Sequence, residues 1–276
     1  MSASPASTSI HPTAVVDPAA ELGAGVEIGP HAVVGAGVSI GDRTVLGPGS
    51  VVHGTTSLGA ENRLFTGACL GFDPQDLKFG GEKTRLEVGD GNQFREHTTV
   101  HRGTGKGGGL TRIGDRNLFM VGSHVAHDCM VGSDTIFANN GTLAGHVEVG
   151  DFATVGAFSS VHQFCRVGAY AYIGGYSVIT RDALPFIKTV GAKPVCYGIN
   201  RIGLERRGFG EEELAGLEKA YRVLVRSRQA LAAALEQLAS DFKGQARVEQ
   251  LRSFVVSSER GVIRDVPGSK KGRRGG

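Results

Sequence analysis

Nowhere in the 276 residues do some 18 apolar residues run together, so no membrane-spanning helix is expected. The stretch from Met1 to Ser9 has neither a basic segment nor an apolar one, which argues against a secretion signal. Cysteine is scarce. Cys69, Cys129, Cys165 and Cys196 lack any metal-type spacing, and a cytoplasmic protein with reduced thiols is expected. A surplus of positive charge is missing as well. Lys and Arg total 30 against 27 Asp and Glu, and Lys270, Lys271, Arg273 and Arg274 all lie in the last seven residues. The body then holds 26 cations against 27 anions, which is no nucleic-acid-binding balance. Glycine is abundant, 43 of 276, but without the period of three that a collagen needs. Apolar residues at 40% and charged residues at 21% argue against wholesale disorder, and the length suits one or two domains.

The chain counts in sixes. Stepping from Ile10 lands on Val16, Leu22, Ile28, Val34, Ile40, Leu46, Val52, Leu58, Leu64 and Leu70. After a break it lands on Val88, Phe94 and Val100, and after a second break it runs from Ile113 through Phe119 and Val125 to Ile179. All 26 positions are Val, Ile, Leu or Phe, which chance would deliver on the order of once in ten billion. Gly often follows the anchor, as at Gly23, Gly41 and Gly150, and a small residue recurs four places on, as at Ala32, Ser123 and Ser177. Six fits neither a helix of period 3.6 nor a simple series of hairpins. It fits a short strand and a turn, repeated, with one branched side chain pointing inward each time. Three such segments closing a triangle stack coil on coil, and residues 18 apart come to lie above one another. The pattern resembles the hexapeptide-repeat proteins, which implies a left-handed parallel β-helix; spacing alone does not fix the hand.

The repeat stops at Pro185. Leu214, Leu217, Tyr221, Leu224, Leu231, Leu235 and Leu238 then recur at helical steps behind Glu211-Glu212-Glu213, acids that suit a helix N-terminus. A second helix is expected over about Ala246 to Val256. The expected organisation is a disordered extension over 1–9, a β-helix over 10–185 with loops at 71–87 and 101–112, a small helical domain over 186–264, and a disordered basic tail over 265–276.

With anchors assigned to three columns, Leu70, Val100, Val125, Leu143, Val161 and Ile179 share one face. His101 follows its anchor by one residue, His127 by two, His146 by three and His162 by one, so four consecutive coils carry a histidine on that face. His124 is expected at the corner leading into it, and both loops emerge from the same column and overhang it. Single histidines such as His11, His31, His53 and His97 read as surface groups. The aligned four suggest base catalysis, because a neutral imidazole takes a proton near neutral pH. Asp128 is the only acid beside any of them, and Gly145, 18 residues after His127, places a backbone N–H one coil above it, where an oxyanion could be stabilised.

Here a resemblance to a known family becomes close. Ala-His127-Asp128-Cys, Ala-Gly145-His146-Val, Val-His162-Gln-Phe-Cys, Val100-His101-Arg-Gly and Gln75-Asp76-Leu-Lys78 together resemble the acyl-carrier-protein-dependent UDP-N-acetylglucosamine O-acyltransferases that open lipid A synthesis. The likeness runs over about residues 9 to 264 and includes Arg206-Arg207-Gly-Phe. It implies that His127 is the general base for a sugar 3-hydroxyl attacking an acyl thioester, that Asp128 orients it, and that the Gly145 amide is the oxyanion hole. It implies sugar-nucleotide contacts for Gln75, Asp76, Lys78, His101, His124, His146, His162 and Gln163, and nucleotide contacts for Asn200, Arg206 and Arg207, a paired Arg suiting pyrophosphate. Gly175 matches the position that limits acyl length, and glycine there resembles members accepting longer 3-hydroxyacyl chains. Lys193 and Ile202 depart from the family, where His and Glu are usual. The implied partners are acyl carrier protein, UDP-N-acetylglucosamine and two further copies of the chain in a homotrimer, with no cofactor, no metal and no nucleic acid.

Two alternatives share the scaffold. One is the N-acyltransferase type that acts later in the same synthesis. The other is a trimeric zinc enzyme resembling γ-class carbonic anhydrase, with His101, His124 and His127 as ligands. The Gly103–Gly109 segment lacks the Gly-Lys-Ser/Thr that opens a P-loop helix and reads as a flexible excursion.

Overall fold

Every six residues the chain does build one short strand and one corner. A computed structural model describes residues 7–268, and in it the strands fall into three parallel sheets, the faces of a triangular prism. Strands from Ser9–Ile10 onward make face one, those from Val15–Val16 make face two, and those from Glu21–Leu22 make face three. The architecture is a left-handed parallel β-helix. Its registers step by 18, as in Val33↔Val51 and Ile136↔Thr154, because one circuit of the prism takes three hexads. Both insertions leave the columns intact. Leu70 pairs with Val100 across the first, and Val88 with Ile113 across the second.

The anchors fill the interior. Leu70, Val100, Val125, Leu143 and Ile179 are all fully buried, and Phe94, Phe119 and Phe137 stack along one column at centroid distances of 5.0 and 4.7 Å. The small residue four places after the anchor is buried at the corner, where Ala32, Ser50, Ala68, Ser123 and Ser177 have no exposure. The third residue after the anchor takes the left-handed conformation, as at Arg43 (φ 55), Asn140 (φ 58) and Tyr176 (φ 55), which costs a non-glycine residue about 1 kcal/mol or more. One polar column also runs inside. Asn92 donates from Nδ2 to Oδ1 of Asn62 (3.0 Å), Asn117 donates to Oδ1 of Asn92 (2.9 Å), and Thr135 donates to Oδ1 of Asn117 (2.6 Å).

The ends of the prism depart from the sequence reading in three ways. Ile187–Val190 extends face one, and Val195–Ile199 returns antiparallel to it, so the segment after Pro185 begins with strands rather than helices. Helix α1 (Arg201–Arg206) follows, then α2 (Glu211–Tyr221), which continues as a π-helical turn over Arg222–Arg226. The helix expected to run on to Leu238 breaks at Arg228 (φ 59), and α3 (Leu231–Asp241) starts anew; the apolar step of seven from Leu224 to Leu231 concealed that break. Helix α4 spans Ala246–Val256. Finally, the ordered chain is longer at both ends than expected. Ser9 pairs with Glu27, Asp265 accepts from Arg181 (2.6 Å), and Val266 packs on the core. Residues 1–6 of the amino-terminal extension and 269–276 of the basic tail lie outside the described residues.

The asparagine column predicts an asymmetric cost. Asn92→Ala removes the Oδ1 that accepts from both the backbone N–H and the Nδ2 of Asn117, while Oδ1 of Asn62 keeps the backbone N–H of residue 92, at about 1–3 kcal/mol per buried group left unpaired. A melting temperature lower by about 4 °C or more is expected; an unchanged one would mean the ladder contributes nothing.

Candidate active site

The corner between faces two and three gathers the candidate side chains. Val125, Leu143 and Val161 point inward, and two residues later stand His127, Gly145 and Gln163. One residue further, Asp128 (φ 58), His146 (φ 61) and Phe164 (φ 63) occupy the left-handed turn position. The coils then stack these groups. The His146 N–H donates to the His127 carbonyl (3.0 Å), and Phe164 N–H to that of Gly145 (3.2 Å). The His127 ring meets His146 edge-on at 5.2 Å, and His146 stacks on Phe164 at 4.4 Å.

His127 Nδ1 lies 2.8 Å from Oδ2 of Asp128, whose side chain is 1% exposed. A buried carboxylate needs donors, and Thr104 supplies two: its N–H to Oδ1 (2.9 Å) and its hydroxyl to Oδ2 (2.7 Å). The Asp128 N–H donates to Thr111 Oγ1 (2.8 Å). The Gly103–Gly109 segment is therefore not a free excursion. It folds into a turn over Gly105–Gly107 packed against Asp128. Sequence reasoning missed Thr104 and Thr111, whose only signal was their nearness to a glycine-rich insertion. Gly145 lies against His127 so closely that a Cβ there would run into Cε1 and come within 2.7 Å of Nε2. Its N–H has no acceptor among the described residues.

A second pair sits on face two itself. His124 belongs to the strand His124–Val125, not to the preceding corner, because its register partners are Thr99 and Thr142. Its Nδ1 lies 2.8 Å from Thr99 Oγ1, and its ring meets His101 at 5.0 Å. His101 is buried, with Nδ1 lacking a partner among the described residues. Burial, helped by the nearby His124 and His127, lowers the His101 pKa to about 4. Burial also lowers His124 and, more than Asp128 raises it, His146. His162 lies exposed one coil beyond, with Nδ1 3.4 Å from Arg260.

The other insertion closes over this edge. Arg102 holds it by an ion pair to Asp73 (2.5 Å), a bond to Thr84 (3.1 Å) and stacking on Phe79. Within it Asp76 accepts from the Lys78 N–H (2.9 Å) and is close enough to His146 to favour its cation, while Gln75 and Lys78 are exposed. Asn200, Arg206 and Arg207 are not brought to this corner. They line a cavity of about 660 Å³ on face one with Phe152, Tyr170 and Lys188, where Arg207 stacks on Phe152 at 4.7 Å. Gly175 lies on the opposite edge of face two, 3.2 Å from the Ala157 carbonyl as measured from a Cβ placed there.

The metal-type grouping also differs from the zinc set drawn from sequence. Potential ligand atoms of His127, Asp128 and His146, not those of His101, His124 and His127, fall within 4.8 Å of one another. In it, Nδ1 of His127 and Oδ2 of Asp128 are already each other's partners.

Comparison with known proteins gives one answer. The second domain of UDP N-acetylglucosamine O-acyltransferase matches residues 182–263, and the bacterial transferase hexapeptide repeat matches residues 19–54. The acyl-(acyl-carrier-protein)–UDP-N-acetylglucosamine O-acyltransferase of Alkalilimnicola ehrlichii is 51% identical over 93% of this chain and 100% of its own length. That of Thiobacillus denitrificans is 49% identical over 92% of this chain and 99% of its own. Among solved structures, the UDP-N-acetylglucosamine acyltransferase of Francisella novicida superposes with a TM-score of 0.90 at 35% identity, covering 94% of this chain and 95% of that one.

The His101 shift sets a pH dependence. Its folded pKa of about 4 lies below the ordinary 6.5, so between those values the unfolded chain binds a proton that the folded chain refuses. Stability is lost as pH falls through that window. Urea midpoints measured from pH 7 to 4.5 are expected to fall less steeply for His101→Asn than for the parent chain; equal slopes would contradict a buried neutral imidazole.

Proposed function

This chain belongs to the family of acyl-carrier-protein-dependent UDP-N-acetylglucosamine O-acyltransferases, and we propose that it moves a 3-hydroxyacyl chain from the carrier thioester to the 3-hydroxyl of UDP-N-acetylglucosamine, the first step of lipid A synthesis. The observation that carries the mechanism is the His127–Asp128 pair beneath an uncommitted Gly145 N–H. His127 takes the hydroxyl proton as the sugar oxygen attacks the thioester carbonyl. Asp128 stabilises the imidazolium, and the Gly145 amide holds the oxyanion. Collapse of that intermediate expels the carrier thiolate, which the imidazolium reprotonates. No cofactor enters. His101, His124 and His146, their cations disfavoured by burial, suit neutral sugar hydroxyls, and Asp76 and Lys78 lie on the insertion above them.

A homotrimer fits the outer surfaces. Face three is charged outside, with Glu87, Arg112, Glu148 and Arg166, whereas face two presents Val33, Val51, Thr99, Thr142 and Val178. Setting face two of one copy against face one of the next buries the uncharged surface. It also faces the histidine edge of one copy toward Asn200, Arg206 and Arg207 of its neighbour, groups suited to the nucleotide pyrophosphate. Buried, unpaired Cys129, Cys165 and Cys196 are compatible with a reducing cytoplasm.

Replacing His127 by Ala tests the base. A fall in kcat of about a thousand-fold or more is expected with the chain still folded, since the ring stands at the edge outside the aliphatic core and Thr104 still meets both oxygens of Asp128; wild-type kcat would remove His127 from the mechanism.

A further inference from the structure

Asp128 is the most enclosed charge of the site, and its surroundings have a direction. Thr104 Oγ1 receives the Gly107 N–H at 3.1 Å. An amide only donates, so the hydroxyl accepts there and its own hydrogen is left for Oδ2 of Asp128, 2.7 Å away. Oδ2 thus accepts, and it accepts again from Nδ1 of His127 at 2.8 Å. With the hydrogen on Nδ1, the lone pair of the imidazole stays on Nε2, the nitrogen beside Gly145. The glycines of the segment make this approach possible. A Cβ on Gly107 would overlap the Asp128 carboxyl carbon, and one on Gly103 would stand 2.8 Å from Oδ1. The turn is tied back by Gly109 N–H to the Thr104 carbonyl at 2.8 Å, and Gly108 and Gly109 hold φ of 93 and 75, which suit glycine.

We propose that the Gly103–Gly109 loop is a clamp that fixes Asp128 as acceptor and thereby sets the His127 tautomer, with Thr104 as the positioning residue. The proposal rests on His127 being the base. Thr104 is buried and acts through the carboxylate.

The test is Thr104→Val, which keeps the backbone N–H and removes the hydroxyl, with Thr104→Ser as the conservative rescue. For Thr104→Val, kcat is expected to fall between about 10- and 100-fold with KM for sugar nucleotide and acyl carrier unchanged, and Thr104→Ser restores it. Without the hydroxyl the carboxyl loses the donor that holds Oδ2 against Nδ1, and nitrogen-15 spectra of histidine-labelled protein are expected to show His127 in both tautomers in Thr104→Val instead of Nδ1–H alone. Gly107→Ala, which leaves Thr104 in place but displaces the turn, gives the same two signatures and keeps the test open should Thr104→Val fold poorly. An unchanged tautomer with wild-type kcat in both variants overturns the clamp. A shifted tautomer with wild-type kcat upholds the clamp and overturns the base assignment instead.

Discussion

Parallel stacking of identical coils is the constraint on which the rest depends. Each circuit returns the backbone to the same place about 4.8 Å further along the axis, so the inward aliphatic anchors form continuous columns and the corners form continuous edges. Position relative to the anchor then decides what a side chain does. The second residue after the anchor faces its counterparts 18 residues away, which sets Gly145 on His127. The third sits in a left-handed turn, which sets His146 over Asp128. The turns are strained for non-glycine residues, and the buried anchors around them hold them in place. The geometry of the candidate site is in this sense a by-product of core packing.

Electrostatics act on that frame. The histidine edge holds several imidazoles, two of them, His127 and His146, beside the Asp128 carboxylate, and burial opposes accumulation of positive charge there, most strongly at His101. Asp128 is tolerated because both its oxygens are met by Thr104 and Oδ2 also by His127. Without those donors a buried carboxylate would cost several kcal/mol. The result is one anchored negative charge, suited to stabilising one transient imidazolium.

Much of this was legible in the hexads. The columns hold across both insertions, as Leu70↔Val100 and Val88↔Ile113 demonstrate, and the 18-residue offset that pairs His127 with Gly145 is written in the sequence. What escaped follows from interactions with no period. Thr104 reaches Asp128 from an insertion outside the repeat, so no counting rule finds it. His124 immediately precedes its anchor and therefore lies on the strand, facing outward by alternation, rather than at a corner. The helix break at Arg228 is hidden because an apolar step of seven is the same in a continuous helix and across a turn.

Asn200, Arg206 and Arg207 lie beyond the repeat and line a cavity on a different face from the histidines. Under the proposed function each site is shared between neighbouring copies. The most direct measurement mixes His127→Ala with an Arg206→Ala/Arg207→Ala double variant, dissociates them and lets them reassemble at equal ratio. Each variant alone is expected to be nearly inactive, and the mixed assemblies to recover about a quarter of wild-type kcat/KM, the fraction of interfaces at which an intact histidine edge meets an intact arginine pair. No recovery beyond the separate variants would contradict a site built between chains.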